Sequence, residues 1–214
     1  MSDDLPTADG ERQPAFKAPW PALVLAASIL GGYALQTLFP PDLVIGAWGF
    51  SPMMLESRPA TVITAVALHG SWAHALMNAV FALTFGAPVA RFLGLGARGV
   101  AALVLFYVVC GALGNLAFAA IHPHEPAMVV GASGAISGLM GAAARLIAGR
   151  GWPGPILSAP VLGFGGAVVI INLLVALTGM APGLGDATIA WEAHIGGFAA
   201  GVLLFGPAAR LARG

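Results

Sequence analysis

The chain has 214 residues, of which 58% are hydrophobic and only 8% are charged. Soluble globular domains carry about 25% charged residues, so this composition excludes a soluble domain and indicates a membrane protein. Nine basic and nine acidic residues balance one another, which argues against nucleic acid or any other strongly acidic partner.

Six long apolar runs are predicted to form transmembrane helices, because each approaches the roughly 20 residues that span about 30 Å of hydrocarbon. Residues 1–20 before them are polar and contain prolines, which predicts a short cytoplasmic tail. Residues 21–209 form the predicted all-α membrane domain, and residues 210–214 a short cytoplasmic end. The runs cover residues 21–39, 73–90, 99–121, 129–147, 156–178 and 191–208.

The basic residues mark alternate ends of these runs and predict an orientation. By the positive-inside rule, the ends that carry most of them, including both termini, are cytoplasmic. Arg58 alone falls on the external side. The cytoplasmic set consists of Arg12, Lys17, Arg91, Arg98, Arg145, Arg150, Arg210 and Arg213.

The second, fourth and sixth runs therefore all start at the external face, and each starts with polar residues. In "HGSWAHALMN", His74 and Asn78 lie one helical turn apart on one face. The fourth run carries Ser133 near its start, and the sixth carries His194. Polar groups are costly in lipid and should face the bundle interior or a water-filled cavity. Their shared depth predicts a site near the external surface.

Small residues are expected to bring the fourth and sixth helices together, since each contains a GxxxG pattern. If the two glycine faces meet, Ser133 comes within reach of His194. A serine that is hydrogen-bonded to a histidine is a nucleophile with its general base. The two patterns consist of Gly134 with Gly138 and Gly197 with Gly201.

Two serines on the same helix face, Ser133 and Ser137, are candidates for this nucleophile. A serine in a membrane helix commonly donates to the carbonyl four residues earlier, which is the bond that we expect for Ser137. Ser133 is one turn nearer the external surface, where the N–H groups of the helix start are unpaired and can hold an oxyanion. Ser133 is therefore the predicted nucleophile.

Three segments, "HGSWAHALMN", "GASGAISGLMG" and "AHIGGFAAG", resemble in this order the motifs of the rhomboid intramembrane serine proteases. The resemblance covers about residues 21–209. It implies a six-helix bundle with Ser133 as the nucleophile, flanked by Gly131 and Gly134. It also implies that His194 is the base of a catalytic dyad.

The same resemblance implies that His74 and Asn78 help the backbone N–H of Ser133 to stabilise the oxyanion, and that His69 is structural. Two features depart from the family pattern. Family members usually carry an aromatic residue, packed against the base, where Ser137 stands here. The Trp-Arg pair that is common in their first external loop is absent from this sequence.

The function implied is that of a serine endopeptidase, which cleaves transmembrane segments of membrane proteins within the lipid bilayer and needs no metal or other cofactor. The expected location is a bacterial inner membrane. The loop of residues 179–190 contains enough glycine and proline to act as a mobile lid above the site.

Two other classes of function are compatible with part of the pattern. A rhomboid-like protein that binds transmembrane helices without cutting them would need neither Ser133 nor His194. A transporter would need polar groups along a path through the membrane. It is disfavoured because Glu192 lies only at the end of a run and no inverted repeat is visible.

Overall fold

The computed structural model describes residues 18–178 and 190–213, and in these ranges the chain forms α-helices and no β-strand. The prediction of an all-α protein is confirmed. Each of the six apolar runs is a helix, and two short helices lie in the connection after the first. The helices are α1 (Trp20–Gln36), α2 (Pro41–Trp48), α3 (Thr61–Thr64), α4 (Trp72–Leu93), α5 (Ala97–Ile121), α6 (Ser133–Ala148), α7 (Ala159–Thr178) and α8 (Trp191–Arg213).

Helices α4, α5 and α8 are long and apolar enough to cross a membrane by themselves. Helices α1 and α6 are apolar but shorter, with 17 and 16 residues, and helix α7 is apolar over residues 159–175. Helix α8 continues to Arg213, so residues 210–213 are helical.

Local sequence signals set several of the helix ends. Ser71 caps the start of α4, where its side chain accepts a hydrogen bond from the backbone N–H of His74. Gly94 ends the same helix with a φ of 105°, a conformation that favours glycine. Helix α2 begins at Pro41, whose missing N–H would have no acceptor in a first turn.

Helix α6 lies at the centre of the bundle, where it packs against α4, α5, α7 and α8. Eleven of its 16 residues are buried. The outer helices instead expose large apolar side chains, such as Ile170 and Leu177 of α7. An apolar exterior around a small-residue core is the arrangement that suits a lipid environment.

The glycine faces of α6 and α8 pack together, so that backbone meets backbone. A Cβ atom on Gly197 would overlap the carbonyl of Gly134, and a Cβ atom on Gly201 would overlap the carbonyl of Gly138. A Cβ atom on Gly141 would lie 2.6 Å from the carbonyl oxygen of Phe198 in α8. Only glycine permits this approach, which fixes the distance between the first turns of the two helices.

Arginines connect the helix ends at the end of the bundle where α4 and α8 terminate. The guanidinium group of Arg213 lies 4.0 Å from the ring centroid of Phe92 and 4.5 Å from that of Trp152. Arg98 donates a hydrogen bond of 2.9 Å to the carbonyl of Leu211. This end lies opposite the starts of α6 and α8, so the arginines and the polar site occupy different faces.

Candidate active site

The predicted dyad is assembled at the start of two helices. Ser133 is the first residue of α6, and His194 lies in the first turn of α8. Their side chains meet with 2.7 Å between the serine Oγ and the histidine Nε2. Both residues are half-buried, whereas Gly134 and Gly197 beside them are buried. The glycine contact therefore holds the pair in hydrogen-bond reach while leaving it partly accessible.

The backbone that leads into Ser133 is held by the connection between α1 and α4. Phe50 and Val129 exchange two backbone hydrogen bonds, of 3.1 and 2.7 Å, and the N–H of Gly131 donates to the carbonyl of Ala65 at 3.0 Å. Phe50 is fully buried. The segment before the nucleophile is thus fixed by main-chain contacts, although it belongs to no helix.

Gly131 brings His74 next to the nucleophile. Its φ of 133° lies in a region that L side chains rarely adopt. A Cβ atom at this position would stand 2.9 Å from Nε2 of His74 and 3.7 Å from Oγ of Ser133. The imidazole and the serine hydroxyl therefore flank the same glycine, so an oxyanion formed on Ser133 would lie near the histidine ring.

Asn78 lies one turn beyond His74 and is almost completely buried. Its Nδ2 donates a hydrogen bond of 3.0 Å to the carbonyl of His74, which uses one of the two N–H groups of the carboxamide. Asn78 therefore steadies the turn of α4 that carries the histidine and keeps a second donor.

A family model for the Rhomboid domain matches residues 56–209, which is well over half of the chain. The chain belongs to the rhomboid family. A search of the curated proteins finds no match. Members of the rhomboid family are typically intramembrane proteases, and the apolar helices of this chain agree with a polytopic membrane protein.

One residue that was not predicted from the sequence also contacts His194. Asn172 of α7 places its Oδ1 2.7 Å from Nδ1 of His194, and its Nδ2 donates to the carbonyl of Val168 at 2.7 Å. It is buried inside the bundle. The sequence does contain one indication of this contact, which is an asparagine within an otherwise apolar run. Because a polar group is costly in lipid unless it has partners, such a residue is expected to face the interior of the bundle.

His69 precedes α4 and is completely buried beside His74. The backbone N–H of His69 donates to Oε1 of Gln36 at 3.0 Å, and Nε2 of Gln36 donates back to the carbonyl of His69 at 2.8 Å. Burial, together with the neighbouring His74, lowers the pKa of His69 to about 4, so this ring is neutral at neutral pH. These contacts anchor the start of α4 to the end of α1.

Ser137 does not make the hydrogen bond that we expected. It is buried in α6, but within the part of the chain that the structure describes its hydroxyl neither donates to the carbonyl of Ser133 nor finds another partner. The expected bond to the carbonyl of Ser133 is therefore not observed. The predicted lid, residues 179–190, lies outside the described residues except for Ala190.

Proposed function

We propose that this rhomboid is a serine endopeptidase that cleaves transmembrane segments of other membrane proteins through a dyad of Ser133 and His194. The observation that carries the proposal is the 2.7 Å separation of Oγ and Nε2. A nucleophile and a base at this distance can transfer a proton directly. A protein that only bound helices would have no use for such a pair.

In the proposed reaction the Oγ of Ser133 attacks the carbonyl carbon of the scissile peptide bond, while Nε2 of His194 takes the hydroxyl proton. The tetrahedral intermediate collapses when the C–N bond breaks and the imidazolium returns the proton to the leaving amine. Water then attacks the acyl-enzyme, again with His194 as the base. The partial exposure of both residues provides a route for that water.

Three groups are proposed to stabilise the oxyanion. The backbone N–H of Ser133 opens α6 and has no acceptor four residues earlier within its helix. Nε2 of His74 lies across Gly131 from the serine hydroxyl. The second N–H of Asn78 lies one turn further along α4. Donors placed where negative charge develops commonly provide the largest single contribution to catalysis of acyl transfer.

The substrate is proposed to be a transmembrane protein whose helix unwinds locally near its external end. The peptide bonds of a spanning helix are hydrogen-bonded internally, so an intact helix offers no free carbonyl to Ser133. Glycine, proline or other small residues near the cut would lower the cost of unwinding. We propose that the protein resides in a bacterial inner membrane with both termini cytoplasmic, so that the site faces outward.

The test is cleavage in proteoliposomes of a model transmembrane protein that carries a glycine-rich segment near its external end. The wild type should release two fragments, identified by mass spectrometry, and Ser133→Ala and His194→Ala should release none above background. Ser137→Ala is the matched control and should still cut. A folded wild type that binds the substrate helix without cutting it would contradict the proposal and support the non-catalytic helix-binding function.

A further inference from the structure

The geometry points to Asn172 as a positioning residue that orients His194 and selects its productive tautomer, so that the site works as a Ser–His–Asn triad. This inference rests on the proposed proteolytic function. It assigns a third member to the site on α7, whereas the proposed nucleophile, base and oxyanion donors lie on α4, α6 and α8. Asn172 would touch the base and neither the substrate nor the nucleophile.

Two hydrogen bonds fix which way the Asn172 carboxamide faces. Its Nδ2 donates to the carbonyl of Val168 on the previous turn of α7, at 2.7 Å. The reversed amide would set its oxygen against that carbonyl, and two acceptors repel. Oδ1 therefore faces the Nδ1 atom of His194, at 2.7 Å.

This orientation determines where the imidazole carries its hydrogen. A carboxamide oxygen can only accept, so the Nδ1 atom of His194 must be the donor. In a neutral imidazole Nε2 then has the lone pair, and Nε2 is the atom that lies 2.7 Å from Oγ of Ser133. The opposite tautomer would present an N–H to the serine and could not take its proton.

The placement of Asn172 is costly without such a role. It lies within an apolar helix, next to Ile171 and Leu173, which are both exposed on the outside of the bundle. An amide in hydrocarbon must be paired or face the interior. Asn172 does both, since its oxygen contacts His194 and its nitrogen contacts its own helix.

Other titratable groups lie near His194 and would be the same in every variant. His74 faces the site from α4 across Gly131. Glu192 lies two residues before His194 on α8 and pairs with His122 at the end of α5, with 2.5 Å between Nε2 and Oε1. A change in pH dependence caused by a substitution at position 172 can therefore be attributed to that position.

The test compares Asn172→Leu, Asn172→Asp and the control Leu173→Ala, which removes a side chain that is exposed on the outside of the bundle. Turnover is measured as kcat and KM over a range of pH on protein that retains its thermal unfolding transition. Asn172→Leu should lower kcat by about 10- to 100-fold with little change in KM, since a positioned general base contributes about 10²–10⁴-fold. Asn172→Asp should retain more turnover than Asn172→Leu, because a carboxylate also accepts from Nδ1, but less than the wild type, because its second oxygen cannot donate to the carbonyl of Val168.

The aspartate should in addition stabilise the protonated imidazole, so the acid limb of kcat/KM should move to higher pH by about one unit or more. An asparagine that does not contact His194 in the working protein would leave this limb unchanged. A measurement on the unmodified protein is independent of any variant's folding. With ¹⁵N-labelled histidine, NMR at neutral pH should show His194 protonated at Nδ1 and not at Nε2, with the assignment taken from His194→Ala.

Wild-type kcat in Asn172→Leu, an Asn172→Asp profile that superimposes on the wild type, or an Nε2–H tautomer would each overturn the inference while leaving the dyad intact. A wild type that shows the Nδ1–H tautomer but cuts no substrate would instead overturn the proposed function, and the triad with it. Leu173→Ala should match the wild type in every measurement. A loss of turnover in that control would contradict a specific effect at position 172.

Discussion

The backbone of Gly131 packs against the imidazole of His74 so closely that a methyl group would stand 2.8 Å from Cε1. Gly131→Ala should therefore either push the histidine away or shift the segment that leads into Ser133. Alanine is also strained at a φ of 133°, at a cost of about 1–3 kcal/mol. We expect a lower unfolding temperature and a large loss of turnover, measured by thermal unfolding and by cleavage.

The matched control for that substitution is Gly163→Ala in α7. A Cβ atom there would meet nothing within 4 Å, and the residue has ordinary helical geometry. Turnover should be unaffected and stability equal or slightly higher, because alanine is the better helix former by about 0.8–1 kcal/mol. Equal behaviour of the two alanine variants would contradict the importance of the Gly131 contact.

Replacement of His74 should lower turnover more than it lowers stability. Loss of one oxyanion donor can reduce kcat by about 10²–10³. The fall in kcat caused by His74→Ala should approach this range. It should be somewhat smaller, because the backbone N–H of Ser133 still stabilises the oxyanion in the variant. Asn78→Ala should have a smaller effect, because one of its two N–H groups already serves the backbone of α4. Full turnover in the double variant would leave both residues a structural role only.

The close contact between α6 and α8 predicts that Gly197→Ala lowers activity without removing any group of the site. The added methyl group would overlap the carbonyl of Gly134 and force the two helices apart. Overpacking of this kind costs about 1–3 kcal/mol, and the separation of Ser133 and His194 should grow with it. We expect a lower unfolding temperature and a lower rate of cleavage.

Gly206→Ala on the same helix is the comparison for this substitution, since its Cβ atom would lie 3.7 Å from the side chain of Arg145, an ordinary contact. It should preserve both stability and turnover. If Gly197→Ala behaved in the same way, the glycine contact would not be what holds the dyad together.

The arginine distribution predicts that both termini lie in the cytoplasm. Reporter fusions at Gly214 and within residues 179–190 should report opposite sides of the membrane, because a single span separates these points. An alkaline phosphatase fusion should be active only in the loop, and a green fluorescent protein fusion should fluoresce only at the C-terminus. Reports from the same side at both points would be incompatible with the six-span topology.

Much of the bundle could be predicted from the sequence because the governing signals are local. Apolar runs give the helices, and the two GxxxG patterns give the contact between α6 and α8. The start of α6 was less predictable: the apolar run begins at Val129, but the helix begins at Ser133. Val129 pairs with Phe50 in the first connection, and the positive φ of Gly131 prevents an earlier helix start.

The role of Asn172 could not be predicted in the same way. Its partner His194 lies 22 residues later on another helix, and no spacing rule connects the two. Composition shows only that a polar residue interrupts an apolar run. Whether it meets the site depends on the rotation of α7 about its own axis, which is set by packing against α6 and α8.

The measurement that tests the central claim most directly is the site of covalent modification by a fluorophosphonate. The purified wild type should be labelled, and mass spectrometry of its peptides should place the adduct on Ser133. Ser133→Ala should lose the label while it keeps its unfolding transition, and Ser137→Ala should keep the label. An adduct on Ser137, or no labelling of the folded wild type, would contradict the assignment of Ser133 and His194 as a working dyad.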